Sequence, residues 1–144
     1  MTYKNALSMP DLISKYKLMI GELIAESHID YDTHASLEAG FNKFGDFLIV
    51  LKYTDFDCHD NDYIDAAVFK KSQAFEISSS IGVKLTELPQ AVLKEYGMPL
   101  DTGTASDVIR MYKYRLLPDL MDCGGRYNRR ILPYNRDYGL QYYP

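Results

Sequence analysis

Phe47-Leu-Ile-Val-Leu-Lys-Tyr53 is the compact β-prone run of this chain, and its reading decides the fold class. Taken alone it is a short buried strand. Joined to the residues before it, Leu37, Phe41, Phe44, Leu48 and Leu51 also fall on one continuing helical stripe. The strand is the preferred reading, and it stands among segments whose apolar spacing is helical.

Upstream, Ser8 and Asp11 have capping-box spacing and Pro10 suits a first helical turn. Met9, Leu12, Ile13, Tyr16, Met19, Ile20, Leu23 and Ile24 then recur at intervals of three and four, which predicts a helix over 9–26. The polar stretch from Ser27 to Thr33 reads as a connection. A second helix is expected over 34–44, with Gly45 as its stop.

Downstream, Asp55 to Asp65 reads as an acidic loop, and Asp62 is placed to cap a helix running to about Ser80. Thr86 is placed to cap Glu87–Tyr96, with Gly97 in position for a left-handed C-cap. Thr104 and Asp107 repeat the capping-box spacing before Val108, Ile109, Met111, Tyr112 and Leu116, and Pro118 is expected to close that helix. The resulting expectation is a mainly α fold: a bundle of about five helices with one short β-prone segment at 47–53.

Past Cys123 the composition changes. Residues 123–144 hold four Arg and one Asp, a charge of +3, so residues 1–122 carry −7 of the total −4. Tyr-Asn-Arg occurs at 127–129 and again at 134–136, and no helical or strand period is visible. The chain has 13 Tyr and no Trp, and Tyr offers a broad apolar face with a hydroxyl that seeks a partner. A solvated tail is poor in aromatics, so this composition predicts an extended arm, 123–144, after an α-helical core domain, 1–122. The arm's expected partner-binding residues are Arg126, Tyr127, Asn128, Arg129, Arg130, Tyr134, Asn135, Arg136, Tyr138, Tyr142 and Tyr143. The plainer alternative is an arm folded back on its own core.

Chemistry-bearing patterns are sparse. Asp55, Asp57 and His59 open like a calcium loop, but the sixth position is Asp60 where Gly is needed and the twelfth is Ala66 where Glu is needed. His28, His34 and His59 lack metal-ligand spacing, and neither a nucleophile elbow nor a phosphate loop is present. Cys58 and Cys123 lack CxxC spacing and read as two free thiols of a reducing compartment. No enzymatic activity and no cofactor or metal is therefore expected. A run of about 18 apolar residues is also lacking, so no membrane span is expected. The arginines and tyrosines of the arm suit single-stranded nucleic acid in principle, but a −7 body opposes it, which favours protein docking.

Three stretches carry a family resemblance: Asp11-Leu12-Ile13 in the opening helix; Ala66 to Ser80 followed by Ala91-Val-Leu93; and Gly125-Arg-Tyr-Asn128 entering the arm. In these the chain resembles the head-to-tail adaptor proteins of tailed bacteriophages. The acidic loop 55–62 has no counterpart in that pattern. The resemblance implies a helical bundle with a C-terminal arm, and a homo-oligomeric ring of about a dozen copies between the portal protein and tail or nozzle components. Genome DNA would pass through without specific binding, and the protein would reside in the virion, or in host cytoplasm during assembly. Two rival readings remain: a small acidic inhibitor of a host enzyme, and a metal-dependent hydrolase built on Asp55–Asp65.

Overall fold

The computed structural model describes residues 14–28, 32–135 and 139–140, with the side chains of residues 134–135 and 139–140 left aside. It is an α/β fold, which overturns the expected five-helix bundle. Strands β1 (Ile20–Glu26), β2 (Thr33–Phe41), β3 (Phe47–Asp55), β4 (Tyr63–Phe69) and β5 (Asn128–Asn135) form an antiparallel sheet in sequence order. The two-residue strand β6 (Gly139–Leu140) adds to the far end of β5. Between β4 and β5 the chain makes α1 (Lys71–Ile81), α2 (Leu88–Tyr96) and α3 (Ala105–Met111). A π-helical turn, Tyr112–Leu116, joins α3 to α4 (Leu117–Asp122).

The expected strand at 47–53 is present and extends to Asp55. Both of its faces are buried: Phe47, Ile49 and Leu51 pack beneath the helices, while Leu48 and Val50 face the other way. A continuous apolar run suits a strand in that position.

The helix expected over 9–26 is replaced at its C-terminal end by β1, and its N-terminal residues lie outside the described ones. Gly21 lies mid-segment, where a helix loses about 0.5–1 kcal/mol relative to Ala. In the sheet it faces Gly40, and a Cβ on Gly40 would fall 2.0 Å from the Ile20 carbonyl oxygen. The helix expected over 34–44 is β2 instead. Ala35, Leu37 and Ala39 alternate into the helix-facing core with Phe41 beside them, a period of two hidden by weakly β-prone alanines. The helix expected from Asp62 to about Ser80 divides into β4 and α1. Ile64-Asp-Ala-Ala-Val-Phe69 buries both faces, and only past Lys70 does a one-sided pattern begin.

The helical layer matches the sequence more closely. Thr104 and Asp107 form the capping box, with each side chain accepting the other's backbone N–H at 3.2 and 2.9 Å. Leu88–Tyr96 is helical, but the turn before it is 3-10 and Gly97 has φ −56°, so the expected left-handed cap is not made. Pro118 does not close its helix. The π turn widens the backbone just ahead of it, where the ring would otherwise meet the carbonyl four residues back.

The main core lies between helices and sheet, from Ile24 and Leu37 to Phe69, Ile77, Val92, Tyr112 and Leu116. Each such side chain contributes roughly 1.5–3 kcal/mol on burial. A smaller cluster on the opposite sheet face holds Leu48, Val50, Ile64, Ala66, Val68 and Leu132, with Tyr16 against them. Among the described residues, no helix is long and apolar enough to cross a membrane.

Candidate functional site

At the end of the sheet where β3 finishes and β4 begins, the helical layer stops short and leaves an open cleft of about 840 Å³. Its sheet side is Thr33, Tyr53, Asn61 and Tyr63, and its helix side is Thr104, Ala105, Ser106 and Ile109. Tyr53 and Tyr63 are directly paired across β3 and β4, and their rings stack with centroids 5.1 Å apart at 28°. The capping box fixes the helix side, because it holds the backbone of Thr104 to Asp107 rigid.

The acidic loop forms the rim. Asp55, paired with Thr33 across β2 and β3, accepts the backbone N–H groups of Asp57 and Cys58 on Oδ1 and the Asn61 amide on Oδ2. Asp62 is buried, and its Oδ1 accepts the Asp55 N–H at 2.7 Å. It therefore ties the loop together rather than capping a long helix. The carboxyl of Asp57 is raised above the ordinary aspartate range, chiefly by the nearby charge of Asp32. The hydroxyl of Tyr53 is also raised, by burial first and then by Asp55 and Asp62. Burial likewise raises Tyr63, with Asp65 adding to it. The acidic loop thus sets the carboxylates of Asp55 and Asp62 beside the Tyr53 ring.

The hydrolase reading finds no metal geometry here. Asp55 and Asp62 spend carboxylate oxygens on the loop's own N–H groups, and among the described residues no three His, Cys, Asp or Glu converge as a metal site. Cys58 is exposed, Cys123 is half-buried, and both are free thiols.

The first half of the expected arm belongs to the sheet. Asn128–Pro133 pairs with β4 despite showing no strand period, because Arg129 and Leu132 face opposite sides and both are engaged. Arg126 is exposed and donates its backbone N–H to Gln73. Tyr127 is half-buried, its ring 5.2 Å from that of Phe69. Asn128 and Arg130 are exposed strand residues. Arg129 closes on buried Asp65. Tyr134 and Asn135 end β5, paired with Leu140 and Gly139. Arg136, Tyr138, Tyr142 and Tyr143 lie outside the described residues.

Sequence reasoning found the acidic loop but missed the tyrosine pair. The signal was the spacing of Tyr53 and Tyr63 about a tight acidic connection, which becomes legible only once 47–53 and 63–69 are both strands of one hairpin. Comparisons with protein-family models, curated proteins and solved structures find no match to this chain.

Proposed function

We propose that this chain is a non-catalytic protein-interaction module whose tyrosine cleft receives an extended, positively charged segment of another protein. The observation that carries the reading is the stacked Tyr53–Tyr63 pair walling an open cleft that Asn61 of the acidic loop also lines, with the carboxylates of Asp55 and Asp62 close to Tyr53. A cation there is attracted by the loop's carboxylates, and an Arg or Lys over a tyrosine face gains about 0.5–2 kcal/mol. The flanking hydroxyls and amide of Thr104, Ser106 and Asn61 supply hydrogen-bonding groups for a peptide backbone. This reading is close in kind to the acidic inhibitor weighed from sequence, without specifying that the partner is an enzyme.

The test is fluorescence anisotropy with labelled extended peptides of equal length, one Arg-rich and one Glu-rich. The Arg-rich peptide should bind at low salt, weaken as salt rises, and lose affinity with Tyr53→Ala or Ser106→Arg. Equal binding of the two peptides would rule the reading out.

A second reading keeps the ring-forming bacteriophage adaptor. Its support is the −7/+3 charge division and the aromatic composition of residues 136–144. The helical bundle that the resemblance implied is not the fold of this chain. Light scattering on the protein mixed with a portal ring would distinguish it, because only an adaptor assembles to a large ring on that template.

A further inference from the structure

The last long ladder of the sheet, between β4 and β5, joins the body of the chain to its C-terminal strand. There the β4 edge offers Tyr63–Val68, met residue for residue by Asn128–Pro133. Inside the ladder lies Asp65, whose side chain is fully buried and whose charge is answered by Arg129, reaching it from the position opposite Ala67. An arriving strand without arginine at that position would leave a buried carboxylate unanswered, a costly outcome. The edge is therefore selective for a strand with the sequence of β5.

How β5 is tethered bears on which copy supplies it. Its link to α4 runs through Gly124, whose φ of +93° is unfavourable for any side chain, and Gly125, where a Cβ would fall 2.3 Å from Ile77 Cδ1. The closed monomer thus depends on a tight turn made by two glycines. Beyond that turn, the contacts of β5 with β4 and Asp65 are the same whichever copy the strand comes from. Exchange of such a terminal edge element between identical chains costs little beyond reopening the hinge.

We infer that β5 is an exchangeable strand, and that the β4 edge of one copy accepts Asn128–Pro133 of a second copy with that strand's Arg129 on Asp65. This self-association is independent of the cleft and of what the cleft binds. It places the interaction capacity of the C-terminal region in the strand that the structure describes.

A disulfide trap tests it on the full chain. Val68 and Asn128 are ladder partners, and directly paired strand residues hold their Cβ atoms about 4.5–5.5 Å apart, close enough for a disulfide with small adjustment. One variant carries Val68→Cys and the other Asn128→Cys, both with Cys58→Ser and Cys123→Ser, so neither can close the bridge within its own chain. The two are held together at high concentration without denaturant, oxidised and run on a non-reducing gel. The expected result is a covalent heterodimer several-fold above that from Val68→Cys mixed with a Ser80→Cys control on the exposed face of α1. A heterodimer no more abundant than the control overturns the proposal.

Discussion

The guanidinium of Arg129 closes on the carboxylate of Asp65 through two bonds, Nε to Oδ1 at 2.8 Å and Nη2 to Oδ2 at 2.5 Å. Tyr112, on the π turn, donates its hydroxyl to the same Oδ1 at 2.9 Å. Asp65 is fully buried, whereas 36% of the Arg129 side chain is exposed. One charge has no route to water and the other has, so the two halves of the pair are unequal.

That inequality sets the first expectation. Arg129→Met should cost about 3–5 kcal/mol, since it strands a buried carboxylate with a single phenol for company. Asp65→Asn should cost clearly less, because the guanidinium can turn to solvent and the amide still accepts from Tyr112. Urea unfolding of both variants measures the difference, and equal losses would mean that Asp65 reaches water.

Alkaline stability follows from the buried phenols. Burial, reinforced by Asp65, raises Tyr112 above the ordinary tyrosine value of 10.0, and burial with the Asp119 hydrogen bond does the same for Tyr96. The folded state then keeps protons that the unfolded chain releases. Stability from these groups is complete below the unfolded value and is lost as pH rises above it. Urea midpoints measured from about pH 9 to 11 should fall steeply. Tyr112→Phe should lower stability at neutral pH by about 1 kcal/mol and make the alkaline decline shallower.

Binding at the cleft should show its own pH signature. Because Asp32 raises the Asp57 carboxyl, affinity for an Arg-rich peptide should begin to fall at a higher pH than an ordinary aspartate dictates. Asp32→Asn relieves the repulsion and should move that onset downward. Peptide titrations across the acid range would show it, and an onset that does not move would separate the two carboxylates functionally.

The helical layer was largely readable from sequence because its signals are local. Thr104 and Asp107 lie three residues apart, and their capping box forms where that spacing puts it. The sheet was not readable in the same way. β1 and β2 have Ile20, Leu23 and Ile24, and Leu37 and Phe41, at intervals that satisfy a helix, and only the pairing of Gly21 with Gly40 and the burial of Ala35 and Ala39 make them strands. Those facts belong to contacts between segments, where tertiary packing overrides local propensity. The same holds for the cleft: Tyr53 and Tyr63 are ordinary tyrosines until the β3–β4 register sets one against the other.

Two glycines give a final and sharper contrast. Gly40 lies where β2 meets β1, and an added Cβ would stand 2.0 Å from the Ile20 carbonyl oxygen and 2.6 Å from the Gly21 Cα. Backbone on the partner strand cannot swing aside as a side chain can, so Gly40→Ala must push β1 off its ladder. Gly45, in the β2–β3 turn, has φ +83° but nothing within 4 Å of its would-be Cβ. Gly45→Ala therefore meets only the left-handed backbone penalty of about 1–2 kcal/mol. Amide hydrogen exchange should show Gly40→Ala losing protection across β1 and its partners in β2, while Gly45→Ala lowers overall stability and leaves the β1–β2 ladder intact. If Gly40→Ala kept β1 protected, the close approach of the two strands at Gly21 and Gly40 would be wrong, and with it the reason this segment is a strand.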